Sequence, residues 1–244
     1  MENQAWSRYC SPQGFYPLAL ALIPWLALSA LVACAAGLFL GLFIAPVDPH
    51  QREISRIVFI HVPASWVSML LYLATTATAT IGWAYNVRLA VLAAQALAPT
   101  GLLFAFLVLW TGCLWGKPIW GDWWVWDLRT QLELAQAFLF IGFIVLHMVL
   151  ENQQRANKAG AILLQAGVLG VVVNFTAEQS WTAWHQGKHA VPVDVSYSEW
   201  ASLLLMSLGL LLYGGVAVLL RLRCVILERE RQSDWVARRG RLLQ

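Results

Sequence analysis

The sequence predicts an all-α, polytopic membrane protein with six transmembrane helices, and its composition is the first reason. Of its 244 residues, 59% are hydrophobic and only 12% are charged, and the mean hydropathy is +0.62. A soluble chain has about 25% charged residues with which to cover its surface. We therefore expect this chain to be solvated by lipid, which excludes an ordinary cytosolic enzyme, a secreted disulfide scaffold and a disordered tail.

Six apolar segments are the second reason, because each is long enough to cross about 30 Å of hydrocarbon. They run approximately over 18–45, 57–82, 90–112, 132–150, 160–178 and 201–220. Charged, proline-bearing or tryptophan-rich stretches separate them, so we expect six helices with both termini on one side. The first segment exceeds a minimal span and contains Pro24, which predicts a tilted or kinked helix. We treat residues 1–244 as a single integral membrane domain.

The distribution of basic residues predicts the orientation. One set of flanks holds 11 of them: Arg8, Arg88, Arg155, Lys158 and the seven arginines from Arg221 to Arg241. The opposite set holds five: Arg52, Arg56, Lys117, Arg129 and Lys188. Cytoplasmic flanks are enriched in Lys and Arg, so we expect cytoplasmic termini, a basic cytoplasmic tail over 221–244 and outward-facing connections over 46–56, 113–131 and 179–200.

The net charge and the cysteines do not indicate a nucleic-acid partner or a metal site. A net charge of +3 and an isoelectric point near 8.8 could suggest nucleic acid, but the basic residues flank the spans, so we expect a lipid bilayer and no nucleic acid. The four cysteines, at positions 10, 34, 113 and 224, are far apart, which favours neither a disulfide framework nor a thiolate metal site.

The connection over 113–131 is rich in tryptophan. It holds five of the 14 tryptophans: Trp115, Trp120, Trp123, Trp124 and Trp126. An interfacial aromatic belt is one interpretation, but a belt is normally shared among all helix ends. If the segment is locally helical, Trp120, Trp123 and Trp124 lie on one face. Such a face could hold a large, flat, apolar ligand, and a porphyrin fits better than a sugar or an ion.

Polar residues follow these tryptophans. We expect Asp127 to order the loop by accepting backbone N–H bonds, and Arg129 to pair with it or with a ligand carboxylate. The sequence from Thr130 to Glu133 is typical of a capping box that opens the fourth helix, so Glu133 is expected to be a cap rather than a proton donor.

Two histidines are candidate ligands on the outer side. His61 lies just inside the outer end of the second helix, where Pro63 is expected to open the helix near Phe59 and give the imidazole room. His185 lies in the last outer loop. Two neutral imidazoles on opposite faces of a macrocycle would hold haem iron without an open position for oxygen chemistry. The alternative for His61 is a structural histidine.

Other charged side chains on this side are weaker candidates. His50 and His189 are possible substitutes for the ligands, whereas His147 lies towards the inner end of the fourth helix and is expected to be structural. Arg56 and Arg129 are suitably located for the two haem propionates, with interfacial snorkelling as an equally good interpretation.

Three stretches carry a resemblance to a known family. They are WGKPIWGDWWVWD from Trp115 to Asp127, IHVPASW at His61 and WHQG at His185. Together with the six spans, they resemble the haem handling (WWD) protein family over nearly the whole chain. The length of 244 residues is similar to that of its shorter members in system I cytochrome c maturation, since other relatives are much larger. Asp122, Leu128 and residues 130–132 depart from the common pattern.

The resemblance implies that the protein binds and delivers haem and is not an enzyme. It implies that His61 and His185 are axial ligands of haem b, and that the tryptophan loop contacts the haem. It also implies delivery of haem to the periplasmic chaperone CcmE, and association with the ABC transporter subunits CcmA and CcmB and a small membrane protein, CcmD. The protein would lie in the bacterial inner membrane, with its haem site facing the periplasm.

Two alternative functions remain. A membrane b-type cytochrome would transfer electrons, but such a protein usually buries paired histidines deep in its spans, and here only His147 lies lower. A permease subunit would conduct haem through its own helices, although these spans carry few polar residues to line a path.

Overall fold

The protein is a bundle of long helices. The computed structural model describes the backbone of residues 11–49, 51–185 and 196–236, and their side chains except those of 177–185. The α-helices are α1 (Pro12–Phe39), α2 (Val58–Ala84), α3 (Arg88–Trp120), α4 (Leu128–Val149), α5 (Gln153–Ala166), α6 (Val168–His185) and α7 (Tyr197–Arg229). A π-helical turn, Leu40–Ile44, continues α1, and a 3-10 turn, Glu53–Ile57, leads into α2.

In the described ranges, six stretches are long and apolar enough to cross a membrane, as predicted. They are Pro12–Ile44, Glu53–Ala84, Arg88–Trp120, Leu128–Val149, Gln153–Thr176 and Tyr197–Arg229. The all-α, multi-pass class is therefore confirmed. α1 runs through Pro17 and Pro24 without interruption, and α2 runs through Pro63.

The two ends of the described chain meet at one end of the bundle. The guanidinium of Arg223 on α7 donates to the hydroxyl of Tyr16 on α1 at 2.9 Å and lies over its ring at 4.5 Å. Arg88, at the start of α3, pairs with Glu230 at 3.3 Å. Residues of the larger basic set thus share one end of the bundle. That this end is cytoplasmic stays a prediction.

Close helix packing depends on small residues. α2 packs mainly against α3, and α1 against α7. A Cβ at Gly37 would collide with the backbone of Met206, and Ser202 Oγ donates to the Gly37 carbonyl at 2.8 Å. Without a hydrophobic driving force between helices in lipid, such backbone approach and interhelical hydrogen bonding hold them together.

The fifth span is divided at Gly167, which the hydropathy pattern did not predict. Tyr72 of α2 is fully buried, and its hydroxyl donates to the carbonyl of Leu164 at 2.6 Å. The tyrosine lies so close to Gly167 that any Cβ there would overlap it. A side chain that inserts into a helix's hydrogen-bond ladder interrupts it, so α5 ends and α6 begins here.

The predicted boundary of the tryptophan-rich loop needs correction. The loop expected over 113–131 covers only 121–127, because α3 continues to Trp120 and α4 begins at Leu128. Gly121 ends α3 in the left-handed conformation, with φ of 83°, and its N–H bonds to the Lys117 carbonyl at 3.1 Å. The basic tail expected over 221–244 is helical as far as Arg229, and residues 237–244 lie outside the described ranges.

Candidate functional site

A partly enclosed cavity lies where α2, α3 and α4 meet the tryptophan-rich loop, with Asn174 of α6 at its wall. The space between its lining atoms, including the open mouth, is about 760 Å³. Four of the tryptophans singled out in the sequence line it: Trp115, Trp120, Trp123 and Trp124. His61, Asp127 and Arg129 also line it. The fold therefore brings together residues of two separate sequence motifs.

His61 is half-buried in this wall and is held by two neighbours from α3. Its Nδ1 lies 2.8 Å from Thr111 Oγ1. Its ring contacts Trp115 edge-to-face, with centroids 5.6 Å apart. Trp115 is fixed in turn, because its indole N–H donates to Gln51 Oε1 at 2.9 Å. The imidazole is thus held in a defined orientation at the cavity.

The aromatic wall does not form the single helical face that the spacing suggested. Trp120 is the last residue of α3, whereas Trp123 and Trp124 follow the left-handed turn at Gly121 and lie outside any helix. Lys117 supports the turn, since its ammonium donates to the Gly121 carbonyl at 2.6 Å and lies 5.9 Å from the Trp123 ring centroid. The tryptophans come together because the chain turns at Gly121, and not because they share one face of a helix.

The other predicted tryptophan, Trp126, lies outside the cavity wall. It is 71% exposed and contacts the edge of Trp124, with ring centroids 5.5 Å apart. The indole nitrogen of Trp124, by contrast, is buried and has no hydrogen-bond acceptor among the described residues. A buried N–H group normally has an acceptor, so this donor suits a ligand oxygen.

Asp127 caps α4. Its Oδ1 accepts the backbone N–H of Thr130 at 2.7 Å, which confirms the expected bond from a loop carboxylate to the backbone. The cap ends the loop next to the cavity and sets the direction in which α4 leaves it. Contact between Asp127 and a cofactor stays a prediction.

The two arginines expected to bind propionates occupy different surroundings. Arg129, in the first turn of α4, lines the same cavity as His61. Arg56 lies outside the lining residues, with Nε donating to Glu53 at 2.6 Å and Nη1 donating to the Gly41 carbonyl at 2.6 Å. Arg56 therefore bonds to a carbonyl of the π-helical turn, that of Gly41, and Arg129 is better located for a ligand carboxylate.

The interpretation of Glu133 as a capping-box residue is wrong. The cap is Asp127, and Glu133 is buried at the floor of the cavity, 3% exposed. Its carboxylate accepts the hydroxyl of Ser68 at 2.8 Å and the amide of Asn174 at 3.4 Å, and Gln136 donates to Ser68 Oγ at 2.7 Å. A buried carboxylate needs such donors.

This polar floor was missed by sequence reasoning, although a signal existed. Ionisable and amide side chains inside spans are costly in lipid and usually face a bundle interior or cavity. The position of Glu133 in the fourth apolar segment, three residues before Gln136, carried that signal. The resemblance to a capping box obscured it.

The remaining histidines divide into two groups. The side chain of His185, and His50 and His189 entirely, lie outside the described residues, so the pairing of His61 with His185 stays a prediction. Both ring nitrogens of His147 have partners, with Nδ1 2.9 Å from the Phe143 carbonyl and Nε2 3.2 Å from Asn157 Oδ1. His147 is thus structural, as expected.

The residues present fit a haem. A wall of indole rings suits a flat aromatic macrocycle. An imidazole held through Nδ1 can offer Nε2 to a metal. A buried indole donor and an arginine suit the carboxylate edge of such a molecule.

The comparisons with known proteins agree with this arrangement. Residues 5–237 match the model of the family described as CcmC: Heme exporter protein C. The chain is 35% identical over 234 residues to Heme exporter protein C of Escherichia coli strain K12, covering 94% of this chain and 96% of that protein. It is 33% identical over 232 residues to the protein of the same name from Haemophilus influenzae, covering 93% and 94% of the two chains. The chain therefore belongs to the heme exporter protein C family.

Proposed function

We propose that this protein binds haem b, non-covalently, at the periplasmic face of the bacterial inner membrane and delivers it for cytochrome c maturation. The observation that carries the proposal is the convergence of His61 and four tryptophans on one cavity in a chain of this family. His61 and His185 would be the axial ligands, and Trp115, Trp120, Trp123 and Trp124 would contact the macrocycle. With His61 and His185 as its ligands, haem iron would have no open position for oxygen chemistry, so the protein would hold and carry haem without catalysing a reaction.

The cavity's charges support an orientation for the ligand. Arg129 lies in the first turn of α4, and Glu133 follows it by four residues, one helical turn deeper in the bundle. Haem propionates would therefore be attracted at the outer part of the cavity and repelled at its floor. The apolar edge of the macrocycle would then be free to contact the partner that receives the haem.

The recipient in this proposal is the periplasmic haem chaperone CcmE, and the ABC transporter subunits CcmA and CcmB, with CcmD, would be associated. The name of the relatives, Heme exporter protein C, supports a role within an exporter assembly. Exposed Trp123 and Trp126 lie on the loop next to the cavity, where an arriving chaperone would meet them.

The two alternative functions are less well supported. Electron transfer across the membrane needs a second, deeper haem, but both ring nitrogens of His147 already have protein partners. Conduction of haem through the bundle needs a path, yet Tyr72 and Phe140 are fully buried below the polar floor and contact each other edge-to-face. Tyr72 follows His61 by 11 residues along α2, about 16 Å deeper at 1.5 Å per residue.

The test is the haem content of the purified protein after His61→Ala substitution. We expect wild-type protein to show a low-spin haem spectrum, and the variant to lose most of its haem because one axial ligand is gone. His147→Ala is the matched control, since it removes an imidazole outside the cavity, and it should retain haem.

Delivery is tested separately by the transfer of haem to purified CcmE. His61→Ala should transfer none, whereas His147→Ala should transfer normally. Undiminished haem with an unchanged low-spin spectrum in His61→Ala would remove His61 from the site and contradict the proposal.

A further inference from the structure

Thr111 lies within hydrogen-bond distance of the His61 imidazole. It lies on α3, 6% exposed, and its Oγ1 is 2.8 Å from His61 Nδ1. A hydrogen bond between a threonine and a histidine can run in either direction, because each side chain can donate or accept. The direction decides which imidazole nitrogen keeps a lone pair.

The backbone of α3 fixes this direction. Thr111 Oγ1 lies 2.7 Å from the Leu107 carbonyl and 3.1 Å from the Val108 carbonyl. Carbonyl oxygens accept and cannot donate, so the single hydroxyl proton of Thr111 is directed at them. The oxygen of Thr111 must therefore accept from His61, which places the imidazole proton on Nδ1.

We propose that Thr111 is a positioning residue that sets the tautomer and the ring orientation of His61, so that Nε2 is the unprotonated nitrogen offered to haem iron. The inference rests on the proposed function and extends it to a residue that touches no ligand. A metal-binding histidine almost always donates its other N–H to an acceptor, which fixes its tautomer and raises its basicity. The threonine hydroxyl takes that place here.

The surrounding packing supports the same ring orientation. Trp115 contacts the imidazole edge-to-face, with ring centroids 5.6 Å apart. Two residues of α3 that lie four positions apart therefore supply the hydrogen-bond acceptor and an aromatic contact.

The test is Thr111→Val, which keeps the shape of the side chain and removes the acceptor. Loss of the threonine acceptor weakens the hydrogen bonding of the Nδ1–H tautomer, so a larger share of the molecules would carry the proton on Nε2, the nitrogen that should bind iron. We expect a 10- to 100-fold weaker haem affinity, which is typical for loss of such a partner. The haem that remains bound should have a higher reduction potential, because a less basic imidazole stabilises ferric iron less.

Thr111→Ser restores the hydroxyl and should return both the affinity and the potential close to wild type. Thr76→Val is the matched control, because Thr76 is equally buried at 6% and donates to the Tyr72 carbonyl at 2.9 Å, away from the cavity. It should leave both quantities unchanged. If Thr111→Val does not accumulate in membranes, Thr111→Ala is measured in its place against the same two controls.

The outcomes separate this inference from the proposed function. Wild-type affinity and potential in Thr111→Val, together with haem loss in His61→Ala, would overturn the role of Thr111 and leave the haem site intact. Full haem retention in His61→Ala would remove the ligand itself. A loss in Thr111→Val that Thr111→Ser does not restore would also overturn the inference, since volume rather than hydrogen bonding would then be responsible.

Discussion

The five tryptophans between Trp115 and Trp126 differ in what they contact. Trp115 is held by a hydrogen bond to Gln51 and by a ring contact with His61. Trp126, by contrast, is 71% exposed and makes a ring contact with Trp124. Trp124 combines a place in the cavity wall with a buried indole N–H that finds no acceptor in the described part of the chain. Tryptophans that look equivalent in the sequence therefore have different contacts in the structure.

At the residue scale, we predict that Trp124→Phe weakens haem retention and Trp126→Phe does not. The phenylalanine keeps an aromatic ring but removes the N–H, so a ligand carboxylate loses one charge-assisted hydrogen bond, about 1.5–3 kcal/mol or roughly 10- to 100-fold in affinity. The measurement is haem dissociation from the purified variants. Equal retention by the two variants would show that the Trp124 N–H does not contact haem.

At the scale of the element, the break between α5 and α6 arises from another helix. Tyr72 lies on α2, yet its hydroxyl bonds to the Leu164 carbonyl and its ring occupies the space beside Gly167. The break lies seven residues, about two helical turns, before Asn174, which reaches Glu133, so it helps to orient the outer half of this span.

We predict that Tyr72→Phe destabilises the protein by about 1 kcal/mol, because it removes one buried hydrogen bond while keeping the ring. The midpoint of thermal unfolding in detergent measures the effect. Tyr213→Phe is the control, since Tyr213 is 49% exposed and its hydroxyl should matter little. An unchanged midpoint for Tyr72→Phe would mean that the packing of the Tyr72 ring against Gly167, rather than its hydroxyl, maintains the break between α5 and α6.

At the scale of the whole molecule, the two ends of the bundle differ in chemistry. One end gathers Tyr16, Arg88 and Arg223 with the end of α7, and the other carries the cavity, the tryptophan loop and Arg56. Basic residues favour the cytoplasmic side, so the cavity is expected to face the periplasm.

We predict opposite labelling of two single-cysteine variants, Asp122→Cys at the tryptophan loop and Glu151→Cys between α4 and α5. Both positions are exposed. In a background without the four native cysteines, a membrane-impermeant maleimide added to spheroplasts should label position 122. Position 151 should react only after the membrane is permeabilised. The reverse pattern would place the cavity in the cytoplasm and contradict the proposed function.

The sequence determined the number of spans and their approximate bounds, because the hydropathy of a span sums over one continuous segment. It also indicated that Asp127 accepts a backbone N–H, but it placed the cap of the fourth helix at Thr130 rather than at Asp127. The sequence also identified the aromatic part of the cavity wall, through the density of tryptophan, and His61, through its position inside a span.

Tertiary structure alone decided the rest. Arg56 bonds to Gly41 rather than lining the cavity, Glu133 meets Ser68 rather than capping its own helix, and His61 meets Thr111 from 50 residues away. A polar group inside lipid must find its partner within the protein, and that partner is whichever neighbouring helix comes closest. The hydrophobic periodicity of one segment does not show which other helix lies beside it. These contacts could therefore be identified only from the packed structure.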